Sequence, residues 1–137
     1  MKGSSPEIRR RARERAMQFL FGIDFTSYEW RDAIERFWRD NPSKNSVRSY
    51  ADSLIQGVMD HRAELDERIS SALDKWAPDR VGRVERNVLR IALFEMCYKG
   101  DVPRAVAINE AIEVAKQYGA DDAGRFVNGV LDRIKDN

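Results

Sequence analysis

A chain of 137 residues is long enough for one domain with a real core and too short for two ordinary ones. With 34% charged and 42% hydrophobic residues, the composition excludes intrinsic disorder and favours a globular fold. The single cysteine, Cys97, excludes a disulfide framework within the chain and fits a reducing compartment. No apolar stretch near the N-terminus resembles a signal peptide, so the sequence favours a cytoplasmic location.

The basic residues are concentrated at the start of the chain. Residues 1–20 carry six basic and two acidic groups, a net +4, and the remaining residues carry 18 basic and 21 acidic groups, a net −3. Five of these cations form the arginine block: Arg9, Arg10, Arg11, Arg13 and Arg15. Because the guanidinium of arginine forms paired hydrogen bonds with phosphates and stacks on bases, this block is typical of an RNA-binding arm. The alternative is a solvated helix face that aids solubility.

The arginine block falls on the first predicted helix, which begins at Pro6. Apolar residues recur along this helix at helical spacing, with the arginines on its other sides. They are small at Ala12 and Ala16, which would allow a neighbouring helix to approach closely. Thr26 and Glu29 form a capping-box pattern that predicts the start of a second helix.

The longest apolar run lies within residues 84–98, where only Arg90 and Glu95 are charged from residue 88 onward. A run of strong helix formers without Pro or Gly predicts a helix surrounded by other elements, the core helix of an all-α domain. It is too short to span a membrane. A buried Arg90 needs a partner, and Glu110 and Glu113 on the next helix are the nearest candidates.

A further apolar stripe precedes the core helix, and the sequence leaves open whether a break occurs near Arg62. Asp79 is predicted to cap the core helix. Two more helices follow, separated at Gly119, and Asp121 or Asp122 is predicted to cap the last one. No stretch alternates with a period of two residues, so no sheet is predicted.

One internal repeat is visible, because LIQGVMD at residues 54–60 matches FVNGVLD at residues 126–132 in character at every position. A glycine within a helix costs about 1 kcal/mol relative to alanine. Gly57 and Gly129 are therefore both predicted to mark close helix crossings. The repeat suggests two helical halves, roughly 6–78 and 79–137, and the alternative is coincidence.

Residues that could carry catalysis are scarce. His61 is the only histidine, so a metal site would have to consist of carboxylates alone. Cys97 lies in the apolar run, which favours a structural thiol over a reactive one. With no glycine-rich phosphate loop either, the sequence predicts no catalytic residue, no metal site and no cofactor, and the chain is not expected to be an enzyme.

Four segments share their pattern with a known family. They are RRRARE at residues 9–14, VERNVLRIALFE at 84–95, DVP with VAINEAIE between 101 and 113, and FVNGVLD at 126–132. Together they resemble the NusB family of bacterial transcription antitermination factors. Residues 26–80 match that family only in helical pattern.

The resemblance implies one all-α domain over residues 1–137, with about six to seven helices in two packed helical bundles. It also implies a function without catalysis. Family members pair with NusE, a small-subunit ribosomal protein, and bind the boxA element of ribosomal RNA leaders. This complex joins other Nus factors on RNA polymerase and makes the polymerase resist termination.

Carried over residue by residue, the resemblance implies RNA contacts for the arginine block and for Tyr118, Asp122 and Phe126. It implies NusE contacts for Phe21 and Glu85, with Phe21 replacing the tyrosine of familiar members. Each has a structural alternative. The two RNA-facing aromatics would be core residues, Asp122 a helix cap, and Glu85 a residue that favours its helix N-terminus.

Two other functions stay open at the level of sequence. A NusB-like domain forms the N-terminal part of some ribosomal RNA cytosine-5 methyltransferases, but no cofactor-binding domain follows Asn137, so this chain alone is not expected to be that enzyme. The other alternative is a structural helical homodimer, buried through the face of Ala12 and Ala16, which would hide the arginines.

Overall fold

The computed structural model describes residues 5–24, 29–73 and 81–135. Over these residues it contains helices and no strand, which confirms the predicted all-α class. The helices are α1 (Pro6–Ile23), α2 (Trp30–Asp40), α3 (Asn45–Asp60), α4 (Arg62–Leu73), α5 (Arg83–Tyr98), α6 (Arg104–Tyr118) and α7 (Ala123–Asp132). The chain divides into two compact units, residues 1–56 and 57–137, and this boundary lies within α3.

The first unit is held together by aromatic and polar contacts among its helices. Phe19 on α1 meets Phe37 on α2 edge to face, with ring centroids 5.4 Å apart. The indole N–H of Trp38 donates to the Asp52 carboxylate on α3 at 2.9 Å. Trp38 is buried, so this hydrogen bond satisfies a polar group that would otherwise lack water.

The N-terminal ends of α1 and α2 differ from each other. The Ser5 hydroxyl accepts the Ile8 N–H at 3.2 Å and Pro6 occupies the first turn, so α1 begins where the sequence predicted. Glu29 has extended backbone and is itself the N-cap of α2. The predicted capping box is therefore wrong, because it requires Glu29 inside the first turn; its other member, Thr26, lies outside the described residues.

The second unit is built around α5, which packs against α4, α6 and α7. Leu89 and Leu93 have no exposed surface, and the helix is buried along most of its length. The prediction of a core helix is confirmed. The described residues contain no helix that is both long enough and apolar enough to cross a membrane.

The buried guanidinium of Arg90 finds a partner that the sequence did not single out. It donates to both carboxylate oxygens of Asp66 on α4, at 2.7 and 3.0 Å, and to the side chain of Asn87 at 2.8 Å. Glu110 and Glu113 lie on α6, and their pairing with Arg90 stays a prediction. Periodicity places Arg90 in the core, but it cannot tell which helix packs against it.

The junctions between the later helices follow the sequence in part. The break left open near Arg62 lies at His61, between α3 and α4. Gly119 ends α6 as predicted, and Asp122 is the N-cap of α7, although its side chain makes no capping hydrogen bond. The predicted cap Asp79 lies outside the described residues.

The two glycines of the internal repeat have opposite surroundings. A Cβ added to Gly57 would lie 2.0 Å from Cζ of Phe94, so the predicted close crossing is confirmed there. A Cβ added to Gly129 would meet nothing within 4 Å, and the prediction is wrong for that residue. In α7 the buried side is formed by Val127, Val130 and Leu131, and Gly129 is exposed.

Candidate nucleic-acid and partner interface

The arginine block does not lie on a uniformly solvated face of α1. Arg10 and Arg11 are exposed, Arg9 and Arg15 are half-buried, and Arg13 is only 5% exposed. The prediction that the block occupies the open sides of the helix is therefore wrong for Arg13. The exposed members of the arginine block are thus Arg10 and Arg11, which are consecutive in the sequence.

The ring of Tyr50 on α3 explains why two of the arginines are withdrawn from solvent. The guanidinium carbon of Arg9 lies 4.6 Å from the ring centroid, and that of Arg13 lies 5.9 Å from it. Tyr50 is buried, so these cation–π contacts are shielded from water and stabilise the packing of α1 on α3. Arg13 thus has a structural role within the first unit.

Arg15 is held by the loop between α2 and α3. Its guanidinium donates to Asn41 Oδ1 at 3.2 Å, to Ser43 Oγ at 3.2 Å and to Gln18 Oε1 at 3.1 Å. These three acceptors are neutral side chains, and they orient the guanidinium. Arg15 therefore contributes a positioned positive charge to the surface around this loop.

This surface is a groove of about 330 Å³ that we call the α1 groove. It is lined by Glu7, Ile8, Arg11, Arg15, Pro42, Ser43, Lys44 and Val47. Lys44 adds a third cation to Arg11 and Arg15, and Glu7 is the only acidic lining residue. The sequence did not single out Lys44, because only the fold brings this loop beside the arginine block.

Arg11 also makes an ion pair with Glu14 at 2.8 Å, one turn along α1. The Arg11 side chain is 48% exposed and the Glu14 side chain is 9% exposed, so water screens this ion pair only from the Arg11 side.

The first unit carries one more of the predicted site residues, near the end of α1. Phe21 is 36% exposed, which makes it one of the large apolar residues that the described chain leaves in contact with solvent. Ala12 and Ala16, by contrast, have no exposed surface within the single chain.

In the second unit, Asp122 and Phe126 lie together with Glu85 around a groove of about 450 Å³, the α5–α7 groove. Its lining residues are Val81, Gly82, Glu85, Ala120, Asp122, Ala123 and Phe126. The structure thus brings together three residues that the resemblance assigned to two different partners. Tyr118, at the end of α6, is half-buried and is not among the lining residues.

Glu85 is only 8% exposed and accepts the backbone N–H of Ala120 at 3.1 Å. Added Cβ atoms would lie 2.2 Å from its Oε1 at Gly82 and 2.7 Å from its Oε2 at Gly119. The two glycines therefore leave the room that this carboxylate occupies. Glu85 ties the start of α5 to the segment before α7, and in this way it positions Asp122.

A second groove, of about 350 Å³, lies along α7 and shares Asp122 and Phe126 with the α5–α7 groove. We call it the Gly129 groove. It is lined by Asp122, Arg125, Phe126, Gly129, Val130 and Arg133. Phe126 is half-buried and forms a wall of both grooves. The sequence singled out neither arginine, because isolated arginines on a short amphipathic helix carry no signal of their own.

Away from these grooves, the described residues contain an aromatic cluster and no group that could hold a metal ion. His61 stacks on Tyr98 with ring centroids 4.0 Å apart, and the centroid of the Phe94 ring lies 6.1 Å from that of His61. The Tyr98 hydroxyl donates to Glu64, and this hydrogen bond raises the pKa of the phenol above its ordinary value of 10.0.

Comparison with known proteins gives one consistent result. A family model described as the NusB family matches residues 10–136. The Transcription antitermination protein NusB of Anaeromyxobacter dehalogenans is 47% identical, over 92% of this chain and 89% of its own length. The protein of the same name from Bacillus velezensis is 45% identical, over 93% of this chain and 95% of its own length.

Solved structures agree with this fold along most of the chain. T. maritima NusB superimposes with a TM-score of 0.81 and 36% identity, covering 95% of this chain and 90% of its own. A crystal structure of antitermination factors NusB and NusE in complex with dsRNA gives a TM-score of 0.83 and 27% identity, covering 93% of this chain and 96% of the matched one.

Proposed function

We propose, from the premise that this chain belongs to the NusB family, that it is a transcription antitermination factor that binds boxA RNA of ribosomal RNA leaders together with NusE. In this role it joins the other Nus factors on RNA polymerase, in the cytoplasm. The family consists of RNA-binding transcription factors rather than enzymes. The superimposed structure of NusB and NusE with dsRNA supports both kinds of partner.

The observation that carries the RNA-binding proposal is the cationic α1 groove. Arg11, Arg15 and Lys44 line it, and Arg10 is exposed on the same helix. Cations arranged along a groove bind the phosphates of an RNA strand and release its condensed counterions. Because Arg15 is already oriented by three hydrogen bonds, it loses little side-chain freedom when a phosphate binds.

A second RNA contact is proposed in the other unit, at Phe126, Asp122 and Tyr118. An aromatic ring with a face open to a groove is a platform on which an unpaired base stacks. Phe126 lines two grooves, the α5–α7 groove and the Gly129 groove. The exposed carboxylate of Asp122 repels phosphates but accepts hydrogen bonds from base amino groups, so it favours bases over backbone at this position.

For NusE, we propose Phe21 as the contact residue. A large apolar side chain that stays in water contributes to binding when a partner covers it. Glu85 is mostly buried, so its proposed role at NusE is indirect, through the loop segment that it holds. Replacing Phe21 with Ala is expected to weaken NusE binding without changing RNA binding by the chain alone.

The test is a titration with single-stranded boxA RNA at several salt concentrations, with and without NusE. In the variant with Arg10→Ala and Arg11→Ala, the slope of log affinity against log salt should fall in magnitude by about 1.4, since each phosphate contact on a single strand contributes about 0.7. The matched control replaces Arg36 and Arg39, two exposed arginines on α2 that do not line the α1 groove.

RNA binding that tightens when NusE is added supports the proposal. A loss of RNA affinity in the Arg10 and Arg11 variant, but not in the α2 control, also supports it. An equal loss in the α2 control would mean that the charge acts through the overall field rather than through the groove. Unchanged binding in both variants would remove the arginine block from the site.

A further inference from the structure

A third groove of the second unit lies beside the C-terminal half of α4, and we call it the α4 groove. It has a volume of about 520 Å³, larger than each of the grooves described above. The described residues that line it are Glu67, Arg68, Ser71, Ala72, Arg133, Ile134 and Lys135. None of them is among the residues proposed above to contact boxA RNA or NusE, so this groove is left without a function.

Two of the cations of the α4 groove are oriented by hydrogen bonds to the rest of the unit. The Arg68 guanidinium donates to the Cys97 sulfur on α5 at 2.7 Å and to the backbone carbonyl of Lys135. The Arg133 guanidinium donates to the backbone carbonyl of Ala72 at 3.1 Å. These hydrogen bonds join α4 to α5 and to the segment after α7. A guanidinium has five N–H donors, so each of them uses only part of what the side chain offers.

The charge of the α4 groove is predominantly positive. Arg68, Arg133 and Lys135 contribute three cations and Glu67 contributes one carboxylate, which gives a net charge of +2 for the described lining residues. Like charges around one groove repel each other, and an anion that enters the groove relieves this repulsion. A cleft lined by one sign of charge also concentrates ligands of the opposite sign. The groove therefore favours an anionic ligand.

The other lining residues favour an acidic peptide over a nucleic-acid strand. None of the described lining residues is aromatic, whereas grooves for single-stranded RNA combine cations with rings on which bases stack. Glu67 and Ser71 are exposed and present hydrogen-bond acceptors at the groove. A peptide supplies a backbone N–H donor at every residue except proline, and a phosphodiester linkage supplies none.

We propose that the α4 groove binds an acidic segment of a partner protein, whose Asp or Glu side chains pair with Arg68, Arg133 and Lys135. Because two of these side chains are already oriented, they lose little freedom when they form paired hydrogen bonds with a carboxylate. This docking surface does not depend on the RNA and NusE contacts proposed above, because it shares no residue with them.

The probe is a peptide of six glutamates, titrated into the full chain with its isoleucine methyl groups labelled for NMR. Ile134 lines the α4 groove and Ile8 lines the α1 groove, so their signals report on the two grooves separately. The glutamate peptide should shift the Ile134 signal to saturation. A peptide of six glutamines, which has the same backbone and no charge, should leave that signal in place.

The decisive variant is Lys135→Glu, which changes an exposed residue and leaves the Arg68 and Arg133 side chains in place. It removes one attraction and adds one repulsion, and an exposed ion pair is worth about 1.5-fold to fivefold in affinity. The affinity for the glutamate peptide should thus fall by about twofold to thirtyfold. The matched control, Lys116→Glu, makes the same change at an exposed α6 residue outside the groove and should bind the peptide normally. Thermal unfolding of both variants checks that the fold is retained.

Three results would overturn this inference. The first is an Ile134 signal that the glutamate peptide does not shift, and the second is an equal loss of affinity in Lys135→Glu and Lys116→Glu. The third is a single-stranded RNA of six uridines that shifts Ile134 as strongly as the peptide does, because the groove would then not select a protein. None of these results bears on boxA RNA at the α1 groove, for which Ile8 is the reporter.

Discussion

Replacing Gly57 with alanine should destabilise this protein, although the same change stabilises most helices. The added Cβ would lie 2.0, 2.3 and 2.4 Å from three atoms of the Phe94 ring, and real Cβ atoms essentially never come closer than 3.0 Å to another group. The ring cannot swing out freely, because Phe94 is 9% exposed and lies 5.6 Å from the ring of Tyr98. Phe94 or α3 must therefore shift.

The expected magnitude follows from two opposing effects. Glycine to alanine within a helix gains about 1 kcal/mol, and forcing an extra methyl group into a packed core costs about 1–3 kcal/mol. For Gly57→Ala the net change in unfolding free energy is thus between about zero and a loss of 2 kcal/mol. Gly129→Ala has only the favourable part, because its Cβ meets open space. The two variants should differ by about 1–3 kcal/mol.

Thermal and urea unfolding of both variants measure this difference. For a chain of this size a change of 1 kcal/mol shifts the midpoint by roughly 4 °C, so Gly129→Ala should melt about 4–12 °C above Gly57→Ala. Phe94→Leu shortens the obstructing ring, so combining it with Gly57→Ala should recover part of the loss. Equal midpoints for Gly57→Ala and Gly129→Ala would refute the close contact on which this reasoning depends.

Two further predictions concern polar contacts in the second unit. Asp66→Ala removes the two hydrogen bonds that the Asp66 carboxylate accepts from the buried Arg90 guanidinium. It should cost about 1–3 kcal/mol in urea unfolding, less than for a fully buried pair because the Asp66 side chain is 36% exposed, and a loss under 0.5 kcal/mol would contradict this prediction. Glu64→Gln should lower the pKa of Tyr98 toward its ordinary value, measured by phenolate absorbance, with Tyr98→Phe identifying the signal. Because the pKa of Tyr98 is raised in the folded state, its contribution to stability is present below pH 10 and is lost as the pH rises through the folded pKa. Glu64→Gln should weaken this loss of stability at alkaline pH. An unchanged titration of Tyr98 in that variant would contradict the hydrogen bond to Glu64.

Most of the helical framework is encoded in local signals. Three of these signals each depend on a few neighbouring residues: the apolar run of α5, Pro6 and Gly119. The structure has a helix over the apolar run, the first turn of α1 at Pro6 and the end of α6 at Gly119. The capping box at Glu29 failed because α2 begins at Trp30, which makes Glu29 the N-cap rather than a residue of the first turn. A pattern of two residues does not decide where a helix begins.

What sequence could not supply is the identity of neighbours distant along the chain. Gly57 and Gly129 stand in nearly the same seven-residue motif, yet only Gly57 faces a bulky ring, and that ring belongs to a helix more than 30 residues later. Asp66 was missed as the partner of Arg90 for the same reason. Periodicity tells which side of a helix is buried, and it leaves the covering residue undetermined.

The arginine block shows the functional consequence of that limit. If all five arginines contacted phosphates of a single strand, the salt slope would be about −3.5. Arg13 is nearly buried, and Arg9 and Arg15 are half-buried. If only Arg10 and Arg11 contact phosphates, the arginine block should contribute about −1.4 to the salt slope. If every member except Arg13 does so, it should contribute about −2.8. Arg13→Ala should then lower the unfolding temperature and leave the salt slope unchanged, whereas Arg10→Ala should reduce the slope by about 0.7 and leave unfolding unchanged. If Arg13→Ala altered the slope as Arg10→Ala does, with no loss of stability, Arg13 would be an RNA contact and not a packing residue.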